Sequence, residues 1–289
     1  MNGNFLVMGL AGILWILHSW ESSYAEWLAL ILIIVAGIPH GSFDLRVAEK
    51  KWPLLATKPV LAIGLYSLIG LTMSLLCFLA PTFGLVLFLM ISAIHFADGE
   101  HLASKSITGT AELIGITAVL LPILLHIEEA KVYMQFFLPL HSFPLSTTST
   151  LNLGYGISLL VTLYLIANYF MGHRSEILQL LVCLISWHVL PPLAGFGVWF
   201  LGRHSRHHLE ECAEFFTHGV SPHDGRKGLP LDFFAISVTA ILLILPLSYW
   251  FDFTQIHELF SASIILIAGL TLPHILVTYN IKRTLRGNT

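Results

Sequence analysis

Charge is the property this chain has least of. Asp, Glu, Lys and Arg make up 11% of its 289 residues, against about a quarter in ordinary soluble domains. A soluble fold of this length could not clothe its surface with so few. The formal net charge of −3 argues against nucleic acid as a partner, because phosphate binding needs clustered cations. Cysteine is also scarce: Cys77, Cys183 and Cys212 lie far apart and form no CxxC pair. That excludes a disulfide framework and a zinc ribbon. No lysine lies within the middle of a hydrophobic run, so there is no attachment point for a retinal Schiff base and the chain is not itself a rhodopsin. No Lys or Arg precedes Arg46; the first apolar stretch lacks the basic start of a signal peptide and is expected to be retained. Internal repeats and low-complexity tracts are missing too.

Hydrophobic residues, by contrast, reach 56% and recur along the whole length. Ten apolar segments can be read, at 4–18, 25–43, 59–80, 83–103, 108–126, 151–171, 175–190, 192–212, 232–250 and 259–281. A helix needs about 20 apolar residues to cross a bilayer, and most of these suffice. Pro191-Pro192 divides what would otherwise be one over-long helix, and Pro81 separates the third segment from the fourth. The expected fold is an all-α, polytopic transmembrane bundle of eight to ten helices forming a single integral membrane domain over 1–289. Lys and Arg in short loops stay cytoplasmic. With the N-terminus inside, thirteen of the fourteen basic residues, Arg203 and Arg206 among them, fall on the inner side and Lys131 alone outside. Both termini are therefore expected in the cytoplasm, and the chain in the cell (inner) membrane.

Fifteen histidines supply most of the polar chemistry embedded in these segments. An imidazole inside a span is costly unless satisfied, and it is a functional candidate by default. Position sorts them. His18, His126, His141, His188 and His257 fall at the outer helix ends, where interfacial or locally satisfied side chains are the plain reading. His173, His218 and His223 fall in inner loops, where solvation explains them. His40, His95, His204, His208 and His274 differ. They come from the second, fourth, eighth and tenth segments, about 11–16 residues in from the outer end, or roughly 16–24 Å at 1.5 Å per residue. Imidazoles from several helices at one depth are what a metal site in a helical bundle requires.

Local spacing sharpens the expectation. Asp44 follows His40 by four residues and Asp98 follows His95 by three. Both carboxylates are expected on the same helix face as their histidine, where they either bind the metal or hydrogen-bond an imidazole and orient it. His204 and His208 are spaced i, i+4, so one helix face presents two imidazoles to one ion; His207, at i+3, is the less favourable alternative. Imidazole suits zinc, copper, iron and nickel. Iron(II) fits an apolar cavity serving oxidation, and zinc stays open on the residues alone. The run from His204 to His208 also fits the HxxHH box of membrane di-iron desaturases and hydroxylases, but the further HxxxH boxes of that class are missing. A metal or proton transporter and a bis-histidine haem protein are the remaining alternatives.

At these residues the chain resembles the Brp/Blh family of membrane β-carotene 15,15′-dioxygenases. The matching motifs are PHGSFD from Pro39 to Asp44, His95-Phe96 with Asp98, the PPL and GRHSRHH stretches from Pro191 to His208, and TLPH ending at His274. Their order and helical placement carry the resemblance over most of the length. It implies cleavage of the central double bond of β-carotene, or a related carotenoid, by O2 to give two retinals. It implies Fe(2+) held by His40, His95, His204 and His208, with Asp44, Asp98, His207 and His274 as orienting groups or alternate ligands. A functional link to a retinal-binding rhodopsin is implied too. The polyene, an apolar rod about as long as the bilayer core is thick, roughly 30 Å, would enter from the lipid. Phe43, Phe96, Trp187, Phe196, Trp199 and Tyr279 are the aromatic residues expected to line its path.

Overall fold

The structure is a computed structural model and describes residues 3–41, 43–103, 111–138, 146–170, 174–210, 239–240, 242, 245, 247–252 and 256–287. Every regular element among these is helical. They are α1 (Gly3–Trp20), α2 (Ser22–Gly41), α3 (Asp44–Lys51), α4 (Pro53–Ala56), α5 (Pro59–Leu79), α6 (Pro81–Ala103), α7 (Ala111–Leu125), α8 (Ile127–Tyr133), α9 (Thr147–Phe170), α10 (Arg174–Val189), α11 (Pro192–Trp199) and α12 (Ile256–Gly287). A π turn over Phe200–His204 continues α11, and the helix resumes to residue 210.

Proline punctuates this order as expected. Pro53, Pro59, Pro81 and Pro192 each open a helix, where the missing N–H costs nothing and the fixed φ fits the first turn. Pro191 is extended (φ −52°, ψ 159°), so Pro191-Pro192 does break the seventh expected segment from the eighth. Among the described residues, five helices are long and apolar enough to cross a membrane: Gly3–Trp20, Pro59–Leu79, Pro81–Glu100, Thr147–Phe170 and Glu258–Tyr279. Helices α7 and α8 make a sixth if their bent pair, turned by 96° at His126, is one span. The apolar parts of α2 and α10 are shorter. Most of the ninth expected segment, 232–250, lies outside the described residues. Leu68, Leu75, Leu160 and Phe170 are all more than half exposed, an apolar exterior of the kind lipid rather than water accommodates.

The chain divides into two compact units. One comprises Met1–Gly37, Ser92–Lys131 and Phe143–Leu209; the other Ile38–Ile91, Val132–Ser142 and Glu210–Thr289. In the first, α10 packs against α1, α9 and α11, and α7 against α9 and α11. In the second, α12 packs along α5 and against α3. The span within α12 is 61% buried, against 22–39% for the other four, which makes it the central helix of that unit.

Small residues set the helix spacing, as in membrane bundles generally. A Cβ on Gly115 would overlap the Ala97 backbone nitrogen and stand 2.6 Å from the Ala93 carbonyl oxygen, so α6 and α7 touch backbone to backbone there. Gly115→Ala is expected to lower unfolding stability in detergent by about 1–3 kcal/mol, the usual cost of overpacking. Gly12→Ala, where a Cβ meets nothing within 4 Å, should not. Equal thermal midpoints for the two variants would show that α6 and α7 are not in backbone contact.

Candidate metal centre

The first unit gathers imidazoles through a local irregularity. The Ser205 N–H reaches back to the Phe200 carbonyl, an i to i−5 bond that inserts one extra residue into the helix. In an uninterrupted α-helix, residues five apart point about 140° away from each other. Here the Trp199 and His204 rings instead stack, 5.3 Å between centroids and 22° between planes. Phe96 meets His204 edge-on at 4.6 Å, and Phe200 stacks at 5.8 Å. His95 of α6 stands 5.1 Å from His204, nearly perpendicular at 76°. Both histidines are buried.

His208 is buried one helical turn beyond His204. The adjacent His207 is committed elsewhere: its Nε2 lies 2.6 Å from Nη2 of Arg206, and a guanidinium only donates, so that nitrogen accepts. The i, i+4 pair therefore keeps its advantage over His207. Asp98 is half-buried on α6. The side chain of His40 lies outside the described residues; its backbone belongs to the last turn of α2.

The second unit holds a further buried array. Tyr66 on α5 donates its hydroxyl to Asp44 Oδ2 at 2.9 Å. His274 on α12 approaches both oxygens of the same carboxylate with Nδ1, at 2.9 Å each. An ionised carboxylate only accepts, so Nδ1 carries the hydrogen, and in a neutral imidazole Nε2 then has the lone pair. This is how carboxylates fix the tautomer and aim of a metal-binding imidazole. Here the sequence expectation is corrected. Asp44 and His40 do not share a helix face, because α2 ends at Gly41 and Asp44 opens α3; Asp44 is instead met by Tyr66 and by His274, 230 residues away.

The expected aromatic lining divides. Phe96, Phe196 and Trp199 form one cluster with ring separations of 4.7–6.0 Å, and it carries His204. Trp187 is buried elsewhere: it packs against Gly195, nine residues from His204 and so roughly 14 Å up the helix, where its carbonyl accepts from His126. Tyr279 is 57% exposed, five residues beyond His274 and on a different face of α12. Phe43 packs on Val47, Ala48 and Val277. An open aromatic pocket in the second unit, lined by Phe78, Phe136, Trp250 and Phe251, lies some 12 residues along α5 from Tyr66, about 18 Å, and contains none of the imidazoles. Two groups escaped sequence reasoning. Tyr66 is signalled by a hydroxyl inside the apolar run of α5. Arg203 was counted as an inner-loop charge, yet it is wholly buried in an ion pair with Glu100, so it is no witness to topology.

Comparison with known proteins places these residues in a family. The sequence profile described as Beta-carotene 15,15'-dioxygenase matches residues 31–282. The chain belongs to this family. A relative named Beta-carotene 15,15'-dioxygenase, from Uncultured marine bacterium 66A03, is 24% identical over 262 residues, covering 87% of this chain and 92% of its own length. No solved structure matches significantly. The matched region of this dioxygenase-family chain includes both buried arrays.

The spacing of one imidazole pair suits a divalent metal. Two imidazoles on adjacent positions of one ion, with metal–nitrogen bonds of about 2.1 Å, place their centroids about 5 Å apart, as His95 and His204 are. The described free cysteines, Cys77 and Cys183, lie on α5 and α10 and are no part of either array. The Asp44 array makes its own prediction. Asp44→Ala strips the acceptor from two buried donors and should destabilise the protein by about 1–3 kcal/mol, more than Tyr66→Phe, which removes one. Equal unfolding midpoints for both variants in detergent would contradict the shared-acceptor geometry.

Proposed function

We propose that this protein is an iron-dependent β-carotene 15,15′-dioxygenase of the cell (inner) membrane, cleaving the central double bond of β-carotene with O2 to give two retinals. What carries the reading is the His95–His204 pair, closed in by Phe96, Trp199 and Phe200, in a chain whose family and relative are both named for that reaction. In this reading the chain is one integral membrane domain with both termini in the cytoplasm. His40, His95, His204 and His208 hold one Fe(2+), and His274, aimed by Asp44, completes or supports the set. Asp98 orients an imidazole.

Bound there, iron(II) supplies the one-electron chemistry that lets ground-state dioxygen react with a polyene. The remaining work belongs to the side chains. Asp44 holds the hydrogen on His274 Nδ1 and thereby presents Nε2. Trp199 and Phe200 keep the His204 ring from turning. Phe96, Phe196 and Trp199 make an apolar wall that accepts a polyene and excludes water, so that one double bond is held beside the reacting centre. Substrate and products are apolar, so both exchange through the bilayer, and a retinal-binding protein is the natural acceptor.

The test is direct. Purified protein reconstituted with iron(II) and supplied with β-carotene and O2 should yield retinal as the chain-shortened product. His40→Ala and His204→Ala should each lose bound iron and cleavage together. Retinal formation by either variant at the wild-type rate would contradict the ligand assignment; hydroxylated or desaturated carotenoid in place of retinal would point to the desaturase-like chemistry instead.

A further inference from the structure

Arg203 is fully buried in a unit whose exterior is apolar. Its Nε donates to both oxygens of Glu100, at 2.8 and 3.0 Å. Its Nη2 donates to Glu100 Oε2 at 2.7 Å, and Nη1 to Glu176 Oε2 at 2.7 Å and Gln179 Oε1 at 3.3 Å. Gln179 in turn donates to Asn4 Oδ1 at 2.8 Å. One guanidinium thus ties the π turn to α6 and α10, and through Gln179 to α1. Burying such a pair is expensive and seldom repaid as stability, and charges at membrane depth are kept for function.

The placement says what this network does. Arg203 lies inside the π turn and immediately precedes His204; Glu100 lies on α6, five residues after His95. The same two elements are therefore joined twice, once by the ion pair and once by the imidazole pair. A π turn has poorer hydrogen-bond geometry than an α-helix and needs an external hold. Relaxing it would shift the register by one residue and swing His204 by about 100° around the helix, off Trp199 and away from His95.

We propose that the Arg203–Glu100 ion pair positions the metal centre by locking the π turn that aims His204. Arg203 is a positioning residue and touches neither metal nor substrate. The inference rests on the metal centre proposed above, and its test separates the two. Full-length protein in detergent is titrated anaerobically with cobalt(II), a spectroscopic substitute for iron(II), and compared with Glu100→Leu/Arg203→Met. That pair of changes removes both charges together and leaves Glu176, which is partly exposed, to solvent. Replacing both partners is commonly neutral for folding, so the thermal midpoint should hold. Cobalt affinity should fall about ten- to a hundredfold, the usual effect of losing a group that orients a ligand, and the cobalt d–d absorption should change shape. A folded double variant with wild-type affinity and spectrum overturns the inference. Should the double variant not fold, Arg203→Lys decides: it keeps the charge but not the planar fork, so it is expected to fold and to show the same weakened, altered binding, and a wild-type spectrum from it overturns the inference. Failure of the wild-type chain to bind cobalt(II) or iron(II) overturns the metal centre itself, and this inference with it.

Discussion

An imidazole buried among aromatic rings has few ways to stay put. His204 is held by Trp199 and Phe200 from its own helix and by Phe96 from α6, and that hold depends on one extra residue in one helical turn. The π turn changes which side of the helix everything after Trp199 presents. His204, His207 and His208 take their directions from it. The first unit is built to keep this turn: α6 is pressed onto α7 at Gly115, and Arg203 is held by polar side chains of α6 and α10. A membrane protein with 11% charged residues spends a fully buried ion pair beside its imidazoles, which is where directional bonds matter more than apolar packing.

The second unit follows the same logic with different groups. Asp44 is a single carboxylate receiving Tyr66 and His274 from helices far apart in the chain. Because a carboxylate only accepts, it decides the tautomer of His274 as well as its orientation. Each unit thus presents an imidazole whose direction is set by a neighbour rather than by its own rotamer preference. Preorganisation of this kind separates a metal-binding cluster from a chance gathering of histidines, and it agrees with membership of a dioxygenase family.

Much of this was legible in the sequence because it rests on local rules. Proline at a helix start needs no tertiary context, so the breaks at Pro81 and Pro192 were readable. The His204–His208 spacing is helical arithmetic, and both residues are buried. Other features were not readable because they are decided by distant partners. The end of α2 at Gly41 put Asp44 on a new helix, and its contact with His274 depends on how α3, α5 and α12 pack. Charge counting assigns Arg203 to a loop since it sees a sign and not a partner; Glu100 and Glu176 are what make burial tolerable. The π turn has no sequence mark, as its cause lies in the surrounding side chains. Where Trp187 and Tyr279 sit, one beside Gly195 and the other on an exposed face of α12, is set by helix packing and not by aromaticity.

Imidazoles sharing one iron, as proposed, would leave a distinct spectroscopic mark. X-ray absorption at the iron edge, on protein loaded anaerobically with one equivalent of iron(II), tests for it most directly. The expected result is one tightly held iron per chain with a first shell of several nitrogens at about 2.1 Å and the multiple-scattering signature of imidazole. Iron that washes out on dialysis, or a shell of oxygen alone without imidazole scattering, would contradict it.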